Sequence, residues 1–154
     1  MDATTAMGLA KMGGAMALGF AAIGSALGTG TAGMAGIGAW KKCYMQNKAA
    51  PFILLVFIGA PLSQTIYGML LMNFINGAGE VLATNPAMGI AQLGAGIIGG
   101  IAMGMSAWFQ GKAGAAGSDA LGETGQGFTN YLTTLGIVET VALFVMIFVQ
   151  GALK

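Results

Sequence analysis

Charge is what this sequence has least of. Acidic and basic residues make up 7% of 154 residues, far below the roughly 25% of a soluble domain. A fully water-facing surface cannot be built from so few. Histidine and arginine are absent, and the net charge is +1. With no basic stripe, nothing points to nucleic acid. No G-x-x-x-x-G-K-S/T run occurs, so the chain has no P-loop and does not itself hydrolyse ATP. One cysteine, Cys43, excludes an internal disulfide. It stands beside Lys41 and Lys42 and reads as a bystander. What is abundant is apolar residues, at 56%, and glycine, at 28 residues with no G-X-Y period. Membrane helices use glycine where backbones must pack closely.

The few charges are spaced informatively. Uncharged runs of 29 residues (12–40), 31 residues (49–79) and 31 residues (81–111) separate Lys11, Lys41, Lys48, Glu80 and Lys112. The stretch 124–153 holds only Glu139. A spanning helix needs about 20 apolar residues, so the sequence predicts an all-α membrane protein of four transmembrane helices. Both termini then lie on one side. The first run is too long for a secretory signal and has no basic segment before it. Basic residues alone set orientation. The 1–2 connection, "WKKCYMQNKAA", carries Lys41, Lys42 and Lys48, and the 3–4 connection, 112–123, carries Lys112. The other side has Lys11 and Lys154. Four against two places both hairpin loops in the cytoplasm, where Cys43 is expected to react with impermeant thiol reagents.

The chain also repeats itself. "SALGTGTAGMAG" (25–36) and "SAWFQGKAGAAG" (106–117) share seven residues at a constant offset of 81. More weakly, "QT" at 64–65 falls against "ET" at 139–140. The reading is two tandem duplicated helical hairpins, 1–80 and 81–154, with the same direction in the membrane. The first and third spans are lined with small residues. Gly96, Gly100 and Gly104 form one such face, and Ala22, Ala26 and Gly30 are expected to form the other. The second and fourth spans carry the bulk, as in "FILLVF" and "ALFVMIFV". Thin inner helices and bulky outer ones suit a ring of many copies.

Glu139 is the one charge inside the fourth span. Holding an ionised carboxylate at mid-membrane costs a few kcal/mol, so such a residue is a functional candidate. Gln64 stands at the same depth in the second span, 16 positions from both Lys48 and Glu80. Ala60, Ser63, Gln64 and Tyr67 follow i, i+3, i+4, i+7 and share a helix face. Pro61 removes a backbone N–H and loosens the turn before it. Carbonyls near such a break can hold a cation. These hard oxygen donors and Glu139 would form a neutral site for one monovalent cation. Gln110 is a further amide, only two positions from Lys112. Either the third helix protrudes well past the membrane, or Gln110 lies near its surface; residues 81–111 would span about 46 Å as a helix.

Duplicated hairpins, a lone carboxylate in the fourth span and Gly/Ala-rich first and third spans resemble the proteolipid of V-type ATPases. This is the ring-forming K or c subunit, and the resemblance covers essentially the whole chain. "PLSQTIY" (61–67) is similar to the P-x-S/T-Q-x-x-Y pattern of the sodium-binding bacterial branch, with serine where threonine is familiar. The resemblance implies that sodium is held by the Ala60 carbonyl, Ser63, Gln64, Gln110 and Glu139, with Tyr67 hydrogen-bonded to the glutamate. It implies a homo-oligomeric rotor ring in a bacterial plasma membrane. A stator subunit would supply an essential arginine, and central-stalk subunits would meet the cytoplasmic loops. Partner subunits would hydrolyse ATP, and the chain itself needs no cofactor beyond its bound sodium ion or proton. The alternatives are a proton-translocating version of the same ring, or a stand-alone four-helix cation-coupled transporter.

Overall fold

The computed structural model describes residues 1–153. Four helical segments within them are long and apolar enough to cross a membrane, as the uncharged runs predict: Ala3–Met45, Leu54–Asn76, Met88–Thr124 and Phe128–Ala152. The first is a single helix, α1 (Ala3–Met45). The second is broken into α2 (Leu54–Gly59), a 3-10 turn over Ala60–Leu62, and α3 (Ser63–Asn76). A short α4 (Gly79–Thr84) links to α5 (Met88–Thr124), the third span. It straddles the 80/81 division between the two hairpins. The fourth span is α6 (Phe128–Ala152).

The helix ends have local causes. Asp2 caps α1 by accepting from the Thr5 N–H at 2.8 Å. That hydrogen bond holds its carboxyl below the usual range. The chain leaves α1 through Asn47 at φ 53, a left-handed conformation that asparagine tolerates. α5 stops at Gly125, φ 67, whose N–H bonds back to the Leu121 carbonyl at 2.8 Å. This is the left-handed glycine stop common at helix ends.

α1 and α5 form the backbone of the fold. They run parallel and touch through glycine along their whole length: Gly89 on Ala6, Gly96 on Gly13, Gly100 on Ala17, Gly111 on Gly28, and Gly122 on Ala39. A side chain at these glycines would collide with the partner helix. The expected Gly96, Gly100 and Gly104 face is therefore the α5 side of the seam. Its partner on α1 is not Ala22, Ala26 and Gly30. Ala26 and Gly30 are not packed on α5: Ala26 is exposed, and nothing lies within 4 Å of a side chain at Gly30. α1 has small residues on several sides, and the buried face is Gly13, Ala17, Gly24, Gly28 and Ala32.

The bulkier spans pack on this pair. Gly68 of α3 sits on Ala17 and Ala21, and Gly99 of α5 receives Leu71 and Val149. Two apolar clusters result. One includes Ala17, Ala21, Leu71, Ile75, Met103, Ala142 and Met146. The other, nearer the loops, gathers Ala39, Leu54, Phe57, Leu121 and Leu135. Ser63, Gln64 and Glu139 fall between them along their helices.

Two expectations at the loop end need correction. Residues 112–123 are not a loop but the last turns of α5, and only Gly125–Gly127 connect α5 to α6. Gly111, Gly114, Gly117 and Gly122 let this segment pack closely, as a helix, against its neighbours. Its acids serve α1: Lys42 pairs with Asp119 at 2.8 Å and Glu123 at 2.9 Å. Cys43 is buried, with its Sγ 3.5 Å from the Gly122 carbonyl, so it is a poor native probe of sidedness.

Candidate ion-binding site

Pro61 cannot donate to the Phe57 carbonyl, and the helix tightens there into the Ala60–Leu62 3-10 turn. The turn presents the Ala60 carbonyl to Ser63. It accepts from the Ser63 N–H and lies 3.1 Å from the Ser63 hydroxyl. α3 then starts at Ser63, which puts Ser63, Gln64 and Tyr67 on one side of its first turns.

From here a continuous polar chain crosses three spans. Ser63 Oγ lies 3.2 Å from Gln64 Oε1. Gln64 Nε2 donates to Gln110 Oε1 at 2.8 Å. Gln110 Nε2 is shared between the Leu135 carbonyl, at 3.1 Å, and Glu139 Oε2, at 3.2 Å. The Tyr67 hydroxyl donates to Glu139 Oε1 at 2.7 Å. All six residues singled out in the sequence, Ala60, Ser63, Gln64, Tyr67, Gln110 and Glu139, thus meet in one cluster. Both amides are fully buried. Glu139 is half-buried, with Ile137 and Val141 exposed beside it, so its carboxylate is approached from the side of the protomer.

The cluster also fixes the level of Gln110. It stands opposite Leu135 and Glu139, in the middle of α6. α5 continues 14 residues beyond it, to Thr124, or about 21 Å. The third helix therefore runs on past Lys112, and the short distance to that lysine in sequence is no measure of where Gln110 sits along α6.

Two contributors escaped the reading of residue types. Ser106, one turn before Gln110, donates to the Val138 carbonyl at 2.9 Å and ties α5 to the turn of α6 that carries Glu139. It stood out in the sequence only as part of the repeat, although its i, i+4 relation to Gln110 is a usable signal. The Leu135 carbonyl is a backbone group and leaves no trace in residue identity.

The donors are hard oxygens around one carboxylate: the Ala60 carbonyl, the Ser63 hydroxyl, two amide oxygens and Glu139. Among the described residues no three His, Cys, Asp or Glu side chains cluster, and no lysine lies within 4.0 Å of Glu139. One carboxylate balances one monovalent charge. The amides are oriented here to donate toward Glu139. Rotation of each about its last bond would turn oxygen inward instead, a choice set by the hydrogen-bond network.

Comparison with known families gives one match. Residues 93–149 fit the family of the ATP synthase C subunit. The matched segment runs from early α5 to near the end of α6 and includes Gln110 and Glu139. Among curated proteins no match was found.

Proposed function

We propose that this chain is the ring-forming proteolipid of a V-type rotary ATPase, and that it carries sodium on Glu139. The match to the ATP synthase C-subunit family supports the coarser reading, a non-catalytic membrane rotor component that assembles with copies of itself. The observation that carries the finer one is the set of oxygens around Glu139. A proton requires a carboxyl group and little else. Sodium must exchange its water shell for several oxygens while the site stays neutral. Ala60, Ser63, Gln64 and Gln110 supply such a set beside the glutamate.

In this reading the loaded site is neutral and half-buried, and so can face lipid. Tyr67 holds the carboxylate in place. An arginine on a stator subunit would displace the ion as each copy passes, and a fresh ion would load before the next turn. Soluble partners would hydrolyse ATP and drive the ring through a central stalk seated at the loop end. The two hairpins read as duplicated units of which one retains the carboxylate, giving one ion per four spans.

Carbodiimide labelling tests the choice of ion. The reagent attacks the protonated carboxyl, and bound sodium keeps Glu139 ionised. Sodium should slow labelling relative to potassium, more strongly as pH rises and proton competition fades. Gln64→Ala or Gln110→Ala should leave labelling itself intact but raise the sodium needed for protection by about tenfold to a hundredfold, the cost of one ligand hydrogen-bonded to a charge. Sodium-independent labelling at every pH would make the rotor a proton carrier.

Sidedness has its own test. The loops are placed in the cytoplasm of a bacterial cell, on the lysine asymmetry. Lys48 is exposed in the 1–2 connection. Lys48→Cys in a Cys43→Ala background should react with impermeant maleimide in inside-out vesicles and not in intact cells. The reverse pattern would invert the topology.

A further inference from the structure

The two halves of α6 differ on their outer surface. Glu139 is the twelfth of its 25 residues, so nearly equal lengths extend toward the loop end and toward the far end. On the loop side, Thr129, Asn130, Thr133 and Thr134 are exposed, as is Thr140 beside the glutamate. On the far side, residues 141–149 carry no polar side chain, and Val141, Phe144, Ile147 and Phe148 are exposed. The two halves are not built for the same surroundings.

The exposed polar groups are ordered. Thr129, Thr133, Gly136 and Thr140 follow i, i+4, i+7, i+11 and fall within about 60° of one helix face. The strip is about 17 Å long and ends beside Glu139. A side chain at Gly136 would meet nothing within 4 Å, so the strip is unobstructed there. The Thr133 hydroxyl donates to the Thr129 carbonyl at 2.8 Å, and the Thr140 hydroxyl to the Ile137 carbonyl at 2.7 Å. With the proton spent on the helix, each oxygen has only lone pairs left to offer outward. Hydroxyls satisfied in this way are tolerated in lipid, so the threonines alone decide nothing. Asn130 is different: its exposed amide has two donors and an acceptor, and cannot satisfy all of them on its own helix.

The site opens in the same direction. Along the second span, Ala60 and Ser63 lie on the loop side of Gln64 and are only partly buried. Tyr67 lies on the far side, and its hydroxyl closes over Glu139 Oε1 at 2.7 Å. We propose that the loop-side half of α6 is one wall of the aqueous path along which a hydrated monovalent cation reaches Glu139. Asn130 stands at its mouth, and the oxygens of Thr129, Thr133 and Thr140 are successive acceptors. The inference rests on the reading of Glu139 as the ion carrier and adds the direction of access to it. A partner subunit supplies the covering wall. Toward the far end α6 offers no side-chain oxygen, so a path on that side would be lined by the partner alone.

The test is thiol reactivity in vesicles that hold the complete ATPase during turnover, in a Cys43→Ala background. A charged methanethiosulfonate is added on the side from which Lys48→Cys reacts. The reagent needs a thiolate, and a thiol in apolar surroundings stays protonated. Thr133→Cys should react at least about tenfold faster than Ile147→Cys, the effect of a single unit of pKa. Transport gives the second readout. Thr133→Val should slow it about fivefold, the worth of one hydrogen bond, while carbodiimide labelling of Glu139 and its protection by the ion stay unchanged. Thr133→Ser should restore the rate. The proposal is overturned if Thr133→Cys reacts no faster than Ile147→Cys, or if Thr133→Val weakens ion protection as far as it slows transport, which would make Thr133 part of the binding site. Normal transport by Glu139→Gln would instead remove the carrier reading itself.

Discussion

Glu139→Gln is expected to leave the assembled protein intact and to reduce coupled ion transport to background. The amide keeps the size and planarity of the carboxylate. Its oxygen can still accept from Tyr67, which donates to Glu139 Oε1 at 2.7 Å, so packing between α3 and α6 survives. What disappears is the charge. With a neutral side chain the site offers only dipoles, and no fixed anion remains to exchange one cation for another. Carbodiimide labelling should vanish with transport, since the reactive carboxyl is gone. Transport at wild-type rate with a normal assembly would assign the carrier role elsewhere. A lost assembly would instead point to a structural role, and Glu139→Asp would separate the two. The shorter acid should assemble and transport with weakened affinity for its ion, because it cannot reach Tyr67 and Gln110 together.

The second large effect is structural. Gly100→Leu should prevent accumulation of the folded protein. A Cβ at this position would lie 2.7 Å from the Met16 carbonyl oxygen and 3.0 Å from Ala17 Cα. Both are backbone atoms of α1, which cannot swing aside as a side chain can. Overpacking an adaptable core costs about 1–3 kcal/mol. Here the two helices must separate, and the neighbouring contacts at Gly96 and Gly104 open with them. Gly94→Leu, about 1.7 turns away on the open side of α5, meets nothing within 4 Å and should accumulate normally. Thermal unfolding of the two variants in detergent, followed by gel migration of the assembly, measures the difference. Equal behaviour would show that the α1–α5 seam is adaptable.

The spans were legible because charge is so costly in lipid that its absence marks them. Where α1 and α5 end was not legible. Beyond Gln110 the helix surface becomes polar at Lys112, Asp119 and Glu123 while its packed face stays glycine and alanine, so the charges read as a loop. The same ambiguity misplaced the buried face of α1. When Ala22, Ala26 and Gly30 are as small as Ala17, Gly24 and Gly28, residue size cannot say which side meets a neighbour. The residues that meet in the cluster were easier to pick out, because Ala60, Ser63, Gln64 and Tyr67 follow the helical period and Glu139 stands alone. Gln110 was ambiguous for one reason: its depth was measured along the sequence from Lys112, while the helix continues straight past that lysine.

The mismatch in helix length has a mechanical consequence. α1 and α5, at 43 and 37 residues, reach about 64 and 55 Å. The second and fourth spans, at 23 and 25 residues, reach only about 35 and 37 Å. At the loop end Lys42 of α1 clamps Asp119 and Glu123 of α5, and Trp40 of α1 donates to the Pro51 carbonyl of the 1–2 connection at 2.8 Å. Glycine contacts leave no cushion of flexible side chains between the two rods, so they resist sliding and twisting past each other. A sideways push at the loop end of this pair is carried along two rigid rods to the level of Glu139 as displacement of the whole protomer, with little lost to bending on the way.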